Sequence, residues 1–346
     1  MKTMIKRRKL MYWLIGLFVL LILSIMATVL IGVVKIPIGT VIQIVANQLP
    51  LINIEQTWSA GEAEIILNLR LPRIFLAILV GAMLAIAGVA YQGILHNPLA
   101  EPYILGVSSG AAVGASAAII FLGSSLVGYF TIPIFALIGA LITLTLVIML
   151  SKVNSQSGTY TLILAGVILQ ALNSAILVFL VSVSGDAMEK VIFWTMGSLA
   201  NRDWIDVAVL LPVFLLGAIY LLSQARELNV MSLGERAATH LGMNVERKKI
   251  AILIVASFMA AAAVSIVGII GFVGLIIPHL MRLLTGPDHR ILVPLSIFAG
   301  AVFMLWTDTL ARVIIPGREL PIGVLTAFIG APVFAYFLRR TLKGRK

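Results

Sequence analysis

The stretch Gln224–Lys249, QARELNVMSLGERAATHLGMNVERKK, decides how the rest of the chain is read. It is the longest polar interruption between two strongly apolar runs. It holds Arg226, Arg236, Arg247, Lys248 and Lys249, five of the chain's 25 basic residues. Ser232 followed by Glu235 has capping-box spacing, in which each side chain satisfies the other residue's free backbone N–H. Ala237, Ala238 and Leu241 fall on one helical stripe, and Gly242 suits the position just past a helix end. The spacing predicts a short helix held at one side of a membrane. Two uses fit it: a solvated connector whose charges set topology, or a docking surface for a cytoplasmic partner.

Working outward, the composition leaves little choice of class. Of 346 residues, 61% are hydrophobic and 11% charged, against roughly 45–50% and about 25% in a soluble domain. Several apolar runs reach the ~20 residues that a helical crossing takes. Their continuous apolar character excludes a β-barrel, whose strands alternate. A net charge of +11 would suggest nucleic acid in a soluble protein. Here the basic residues sit at the ends of apolar runs and read as topology signals. The absence of cysteine removes disulfide and thiol chemistry and says nothing about compartment. Lys2–Lys9 followed by Leu10–Val34 looks like a signal peptide, but the apolar run is too long for one, so it reads as a retained first helix.

Ten spans are predicted, at about 10–34, 66–93, 102–122, 130–151, 159–184, 204–223, 248–268, 271–286, 291–313 and 321–340. The run 271–286 is the weakest, being short and ending in His279 and Arg282. With the N-terminus inside, eighteen of the 25 basic residues fall on inner segments. Lys35, Arg70, Arg73, Lys190, Arg202, Arg312 and Arg318 fall outside, a clear positive-inside bias. That places Gln224–Lys249 and both termini in the cytoplasm. Of the two long outer connections, 35–65 carries Pro37, Pro50 and Asn53 among acids. The other, 185–203, carries Trp194 and Gly197 and is expected to lie along the outer interface. The whole of 1–346 reads as one transmembrane domain, with 224–247 as its inner loop. Gly81–Leu95 and Ala260–Leu275 echo one another in small residues on helices of opposite direction, as inverted repeats in transporters do.

Three motifs stand out. His96–Ala115, HNPLAEPYILGVSSGAAVGA, combines Pro98 and Pro102, which suit a break and a helix start, with Glu101 and a run of glycines and serines. It reads as close helix packing or as a mobile constriction. Gly268–Arg290 combines glycines, Pro278, His279 and Arg282 in a broken segment. Irregular backbone at membrane depth survives only inside protein or against a cavity. His279 and His289 lack a carboxylate or thiolate at ligand spacing, so a metal site there is a poor reading. The third set, Leu69–Arg73 with Asp308–Arg312 and Gly317–Gly323, lies at the outer face. Asp308 and Arg312 have pairing spacing. Arg70 and Arg73 have no such local acid, and so either snorkel to headgroups or await carboxylates of an external partner.

Absent motifs narrow the function. There is no G-x-x-x-x-G-K-[ST], so the chain has no P-loop for ATP. Gly106–Gly110, GVSSG, matches a nucleophile elbow in letters but lacks the strand–turn–helix context. An intramembrane hydrolase pairing Ser108 with His96 or His279 is therefore a remote reading. No span carries the chain of acids expected of an ion-coupled carrier. Energy is expected from a separate subunit.

Taken together, LRLPR (69–73), NPLAEPYILGVSSGAAVGA (97–115), LAGV (164–167), LGERAATHLG (233–242), GFVGLIIPHLMR (271–282), DHR (288–290) and ELPIGVLTAFIGAPVF (319–334) resemble the FecCD-type permease family. These are membrane subunits of ATP-driven importers for iron-siderophores, haem and vitamin B12. The resemblance implies an all-α, ten-helix, inverted-repeat permease of the type II ABC importer kind in a bacterial cell membrane. It implies pairing with itself or a paralogue, two cytoplasmic ATPase subunits and an extracytoplasmic binding protein. The permease itself does no bond chemistry and binds no cofactor; ATP and magnesium belong to the ATPase. Ser232, Leu233, Gly234, Glu235, Ala238, Leu241 and Gly242 match the ATPase-coupling motif. Arg70, Arg73 and Arg312 match outer arginines that meet glutamates of the binding protein. Asn97 and Leu99, with Gly158, Thr159 and Tyr160, match the cytoplasmic gate, although Gly158 and Tyr160 replace small hydroxyl residues that some members carry. Gln170 and Asn173 are expected to line the pathway. The resemblance makes an iron chelate the expected cargo, with cobalamin the alternative. The cluster Arg247–Lys249 is expected to anchor topology only.

Overall fold

Long apolar runs at membrane length have no water to satisfy their backbone groups, so they close their hydrogen bonds internally as helices. A computed structural model describes residues 2–48, 54–122, 128–152 and 158–343. Pro50, Asn53 and the basic side chains of Lys2, Lys6, Arg7, Arg8, Lys9, Arg340, Lys343, Arg345 and Lys346 lie outside the described residues. The helices are α1 (Lys2–Leu30), α2 (Ile38–Ala46), α3 (Ala60–Glu64), α4 (Leu71–Ile94), α5 (Val107–Phe121), α6 (Thr131–Ser151), α7 (Thr159–Ser182) and α8 (Met188–Met196). Then follow α9 (Trp204–Ser223), α10 (Ala225–Met231), α11 (Glu235–His240), α12 (Val245–Val267), α13 (Val273–Thr285), α14 (His289–Val313) and α15 (Ile322–Lys343). Among the described residues seven helices are long and apolar enough to cross a membrane, and α5, α13 and α15 supply three shorter apolar ones. Each of the ten expected runs forms an apolar helix, seven of them of crossing length.

Helix α4 is the central post. A π-turn at Ile65–Arg70 joins it to α3, and almost every residue from Pro72 to Ile94 is buried. Its glycines set how closely its neighbours come. A Cβ on Gly88 would lie 1.9 Å from the Gly274 carbonyl oxygen, and one on Gly81 would lie 2.2 Å from that of Gly300. Small residues at such crossings let backbones meet, which is how helices gain packing energy in lipid. The two small-residue stretches that echo each other in sequence thus touch at Gly88 and Gly274. Tyr91 of α4 and Ser257 of α12 share a hydrogen bond of 2.5 Å between them.

The contacts also sort the two ends of the bundle. Gly93, near the end of α4, faces His289 and Leu228. Arg73, near its start, faces Asp308 and Glu319. The first set marks the loop end and the second the arginine end.

The broken segment is real and lies at depth. Helix α12 stops at Val267, and α13 resumes only at Val273, after Gly268 and Phe272 both take positive φ. Gly274 packs against Leu84 and Gly88, in the middle of α4. At 13 residues, α13 is about 20 Å long, short of a ~30 Å core; that is why it was the faintest span in the sequence.

The segment 185–203 carries a contact that the sequence did not suggest. Helix α8 itself is mostly exposed, and the chain just after it packs on the break that follows α12. Ser198 N–H donates to the Val267 carbonyl at 2.8 Å, and a Cβ on Gly197 would strike Ile269. That bond satisfies the Val267 carbonyl at the end of α12, a demand that composition does not reveal. The connection 35–65 holds α2 and a capping box at Ser59 and Glu62 that starts α3.

Candidate coupling and gating site

The loop Gln224–Lys249 folds as two short helices, not one. Ser232 does not cap α11. Its hydroxyl donates back to the Asn229 carbonyl at 2.6 Å, closing α10. The expected capping box is therefore absent. Gly234, at φ 105°, turns the chain so that α11 begins at Glu235. The other end is as expected. Gly242 has φ 84°, its N–H donates to the Thr239 carbonyl at 2.9 Å, and Met243 N–H donates to that of Ala238 at 3.1 Å. That pair of bonds is a Schellman closure.

Started by the turn at Gly234 and closed at Gly242, α11 presents a divided surface. Ala238 is fully buried, whereas Leu233 and Leu241 are 67% and 68% exposed. Two large apolar side chains flank a short, fixed helix at the loop end. Glu235 points the other way. Its carboxylate pairs with Lys249 Nζ at 2.7 Å and accepts from Thr159 Oγ1 at 3.3 Å, and Lys249 also donates to Thr159 at 2.9 Å. Burial works against the charged form of Glu235, but the bond and charge of Lys249, with Thr159, outweigh it and hold the carboxyl below the usual glutamate range.

Both expected gate segments lie at this end. Thr159 opens α7, Gly158 precedes it with open space around it, and Tyr160 is 78% exposed. The other segment follows α4. His96 Nε2 bonds the Met231 carbonyl at 2.7 Å, and the Asn97 side chain accepts from Leu99 N–H at 2.9 Å, a local turn that leaves Leu99 exposed. The structure thus brings Asn97–Leu99, Gly158–Tyr160 and Ser232–Gly242 to one end of the bundle.

Two expectations change. Gln170 stands on the exposed face of α7, but Asn173 is buried and donates to Ser109 at 3.1 Å and Thr143 at 3.0 Å. It braces α5, α6 and α7 within the chain. The outer arginines are also turned inward. Arg73 pairs with Asp308 at 3.0 Å and Glu319 at 2.9 Å, and Arg312 pairs with the same Asp308 at 3.3 Å. Arg70 donates to the carbonyls of Val29, at 2.6 Å, and Val34. All three side chains are buried and engaged within the chain. Leaving a charge unpaired in the bilayer is so costly that the fold satisfies each one itself.

The other candidate groups are structural. Ser108 is buried in the first turn of α5, and its hydroxyl bonds no histidine. The His289 ring bonds the Asn229 side chain at 2.8 Å. Lys249 was missed. It is not a topology anchor, and its signal was present: it continues the stripe Ile252, Leu253 and Ala256 that α12 buries.

A multi-pass helical membrane protein whose loop end carries a short helix flanked by two exposed leucines is the class these features define. The FecCD transport family matches residues 19–340. The YvrB protein of Bacillus subtilis, an uncharacterised ABC transporter permease, is 48% identical over 81% of this chain and 80% of its own length. The cobalamin import system permease BtuC of Halobacterium salinarum is 47% identical over 80% of this chain and 74% of its own. A solved ABC transporter described as of metal-chelate type, in an inward-facing conformation, superposes with TM-score 0.81 and 35% identity, covering 94% of this chain and 98% of the other. The chain belongs to the FecCD transport family of ABC importer permeases. It is a transport subunit, and ATP hydrolysis belongs to a separate ATPase.

Proposed function

We propose that this chain is the membrane-spanning half of a binding-protein-dependent importer that carries an iron chelate, a siderophore complex or haem, into a bacterial cytoplasm. Two copies, or one copy and a paralogue, enclose the pathway. The loop end and both termini face the cytoplasm, where an ATPase seats on each α11. The observation that carries this reading is the pair Leu233 and Leu241, exposed on either side of a short helix and set beside both gate segments. A solvated connector has no use for two exposed leucines on so short a helix; a docking surface does.

An extracytoplasmic binding protein docks at the arginine end. Its carboxylates compete with Asp308 and Glu319 for Arg73 and Arg312, whereas Arg70 holds the α1–α2 turn in place. Replacing Arg70 and Arg73 by glutamate is therefore a poor test of docking, since it breaks the fold's own pairs. Cobalamin remains the second reading of the cargo. The 47% identity to a cobalamin permease favours it, and the likeness to a metal-chelate type transporter favours the first. Uptake of a ferric siderophore, haemin and cyanocobalamin by cells bearing the complete transporter separates the two.

Leu241→Arg tests the docking surface. An apolar anchor filling a partner's pocket is worth about 2 kcal/mol or more, so ATPase recovered with the purified variant is expected to fall at least about tenfold. Monodispersity in detergent is expected to persist, because Leu241 touches little of its own chain. Undiminished recovery of the ATPase would remove α11 from the interface.

A further inference from the structure

One buried cation at the loop end is left without a role by docking alone. Lys249 follows Arg247, which is exposed, and Lys248, which reaches Gln224 and Glu227 at the surface. Lys249 is only 5% exposed. A lysine that merely sets topology extends its ammonium to water. This one is turned inward, although taking an ion from water costs several kcal/mol before pairing repays it.

What it meets comes from three elements. Lys249 belongs to α12, the long helix packed on α4. Glu235 opens α11, the docking helix. Thr159 opens α7, the helix whose first residues form one gate segment. All three polar ends lie within 3.3 Å of one another. The Glu235 carboxylate also stands at the N-terminus of α7, where free N–H groups and the helix dipole favour negative charge. The second gate segment is tied to the same loop through His96 and the Met231 carbonyl. Apolar contacts can slide, but a charge-assisted hydrogen bond is short and directional. A displacement of α11 is therefore passed to α7 through this point rather than absorbed.

We infer that Lys249 is the positioning residue that makes the gate follow the docking helix, by holding Glu235 of α11 and Thr159 of α7 on one ammonium group. The inference rests on the reading of the chain as an ABC permease and adds to it the link between dock and gate.

The test uses the complete transporter in lipid nanodiscs. The chain has no cysteine, so Tyr160→Cys provides a single reporter thiol at the gate. Its rate of modification by a membrane-impermeant maleimide is compared without nucleotide and after trapping with ATP and vanadate. With Lys249 present the two rates are expected to differ by about tenfold, within the range of ordinary allosteric coupling. In Lys249→Met the difference is expected to fall below about twofold, with the ATPase still co-purifying, since Lys249 does not reach the docking surface. Should that variant fail to accumulate, Lys249→Met combined with Glu235→Gln decides the matter. It strands no buried charge and is expected to lose the response equally. A nucleotide response preserved in either variant overturns the inference, because a purely structural lysine would lower stability and leave the response intact. Failure of any ATPase to co-purify with the unaltered chain would instead overturn the importer reading.

Discussion

Asp308→Ala is expected to collapse the arginine end of the bundle. Asp308 is completely buried in α14 and is the shared partner of Arg73 and Arg312, both buried themselves. Removing it leaves two guanidinium groups in a low-dielectric setting with Glu319 alone to answer Arg73. Breaking a buried pair by deleting one partner costs about 3–5 kcal/mol, and here two pairs lose the same acid. The measurement is thermal unfolding in detergent, where a fall of many degrees or loss of monodisperse protein is expected. Arg290→Ala supplies the contrast. Its pair with Asp288 has a side chain 58% exposed, and exposed pairs contribute at most about 1 kcal/mol. Equal behaviour of the two variants would mean that the buried network carries no structural weight.

Gly88→Val comes second in expected size. The first added carbon already lies 1.9 Å from a carbonyl oxygen of Gly274, and backbone cannot swing aside as a side chain can. Helices α4 and α13 must separate, which opens the packing around the broken segment. Overpacking typically costs about 1–3 kcal/mol and sometimes more; a backbone-on-backbone contact belongs at the upper end. Gly16→Ala, in α1, where an added Cβ meets nothing within 4 Å, is expected to be neutral or to gain up to about 1 kcal/mol of helix propensity. Melting temperatures of the two variants, measured side by side, check the difference.

Much of the fold was legible because the bilayer imposes a period and a length that soluble cores do not. All ten spans could be read from apolar runs, including α13, whose glycines and proline betrayed a break. The break itself pointed to depth, since only buried backbone tolerates it. The contact of the chain after α8 with the break was not legible. Ser198 bonds the Val267 carbonyl, a backbone group that carries no residue code.

The site was legible in its segments and misread in several side chains. Leu233 and Leu241 are exposed and Gly242 closes α11, as the spacing suggested. Ser232 could not be assigned correctly, because a capping-box spacing is equally compatible with a serine that closes the preceding helix. Arg70 and Arg73 looked unpaired because their partners are distant in sequence. Asp308 and Glu319 lie more than 200 residues from Arg73, and the acceptors for Arg70 are backbone carbonyls that carry no residue code. Asn173 and Gln170 are one turn of α7 apart, and no periodicity in so uniformly apolar a helix tells which faces inward. Lys249 was hidden by its neighbours. Three basic residues in a row suggest one role, although helical geometry sends each in a different direction.

ATP-driven uptake in proteoliposomes tests the central claim most directly. The permease is reconstituted with its ATPase, and its binding protein is supplied outside, loaded with a labelled ferric siderophore or cyanocobalamin. The account predicts accumulation that requires ATP on the ATPase side, is unaffected by a proton uncoupler, and is abolished by Leu241→Arg. Uptake that proceeds without the ATPase, or that collapses with the uncoupler while ATP is clamped, would contradict it.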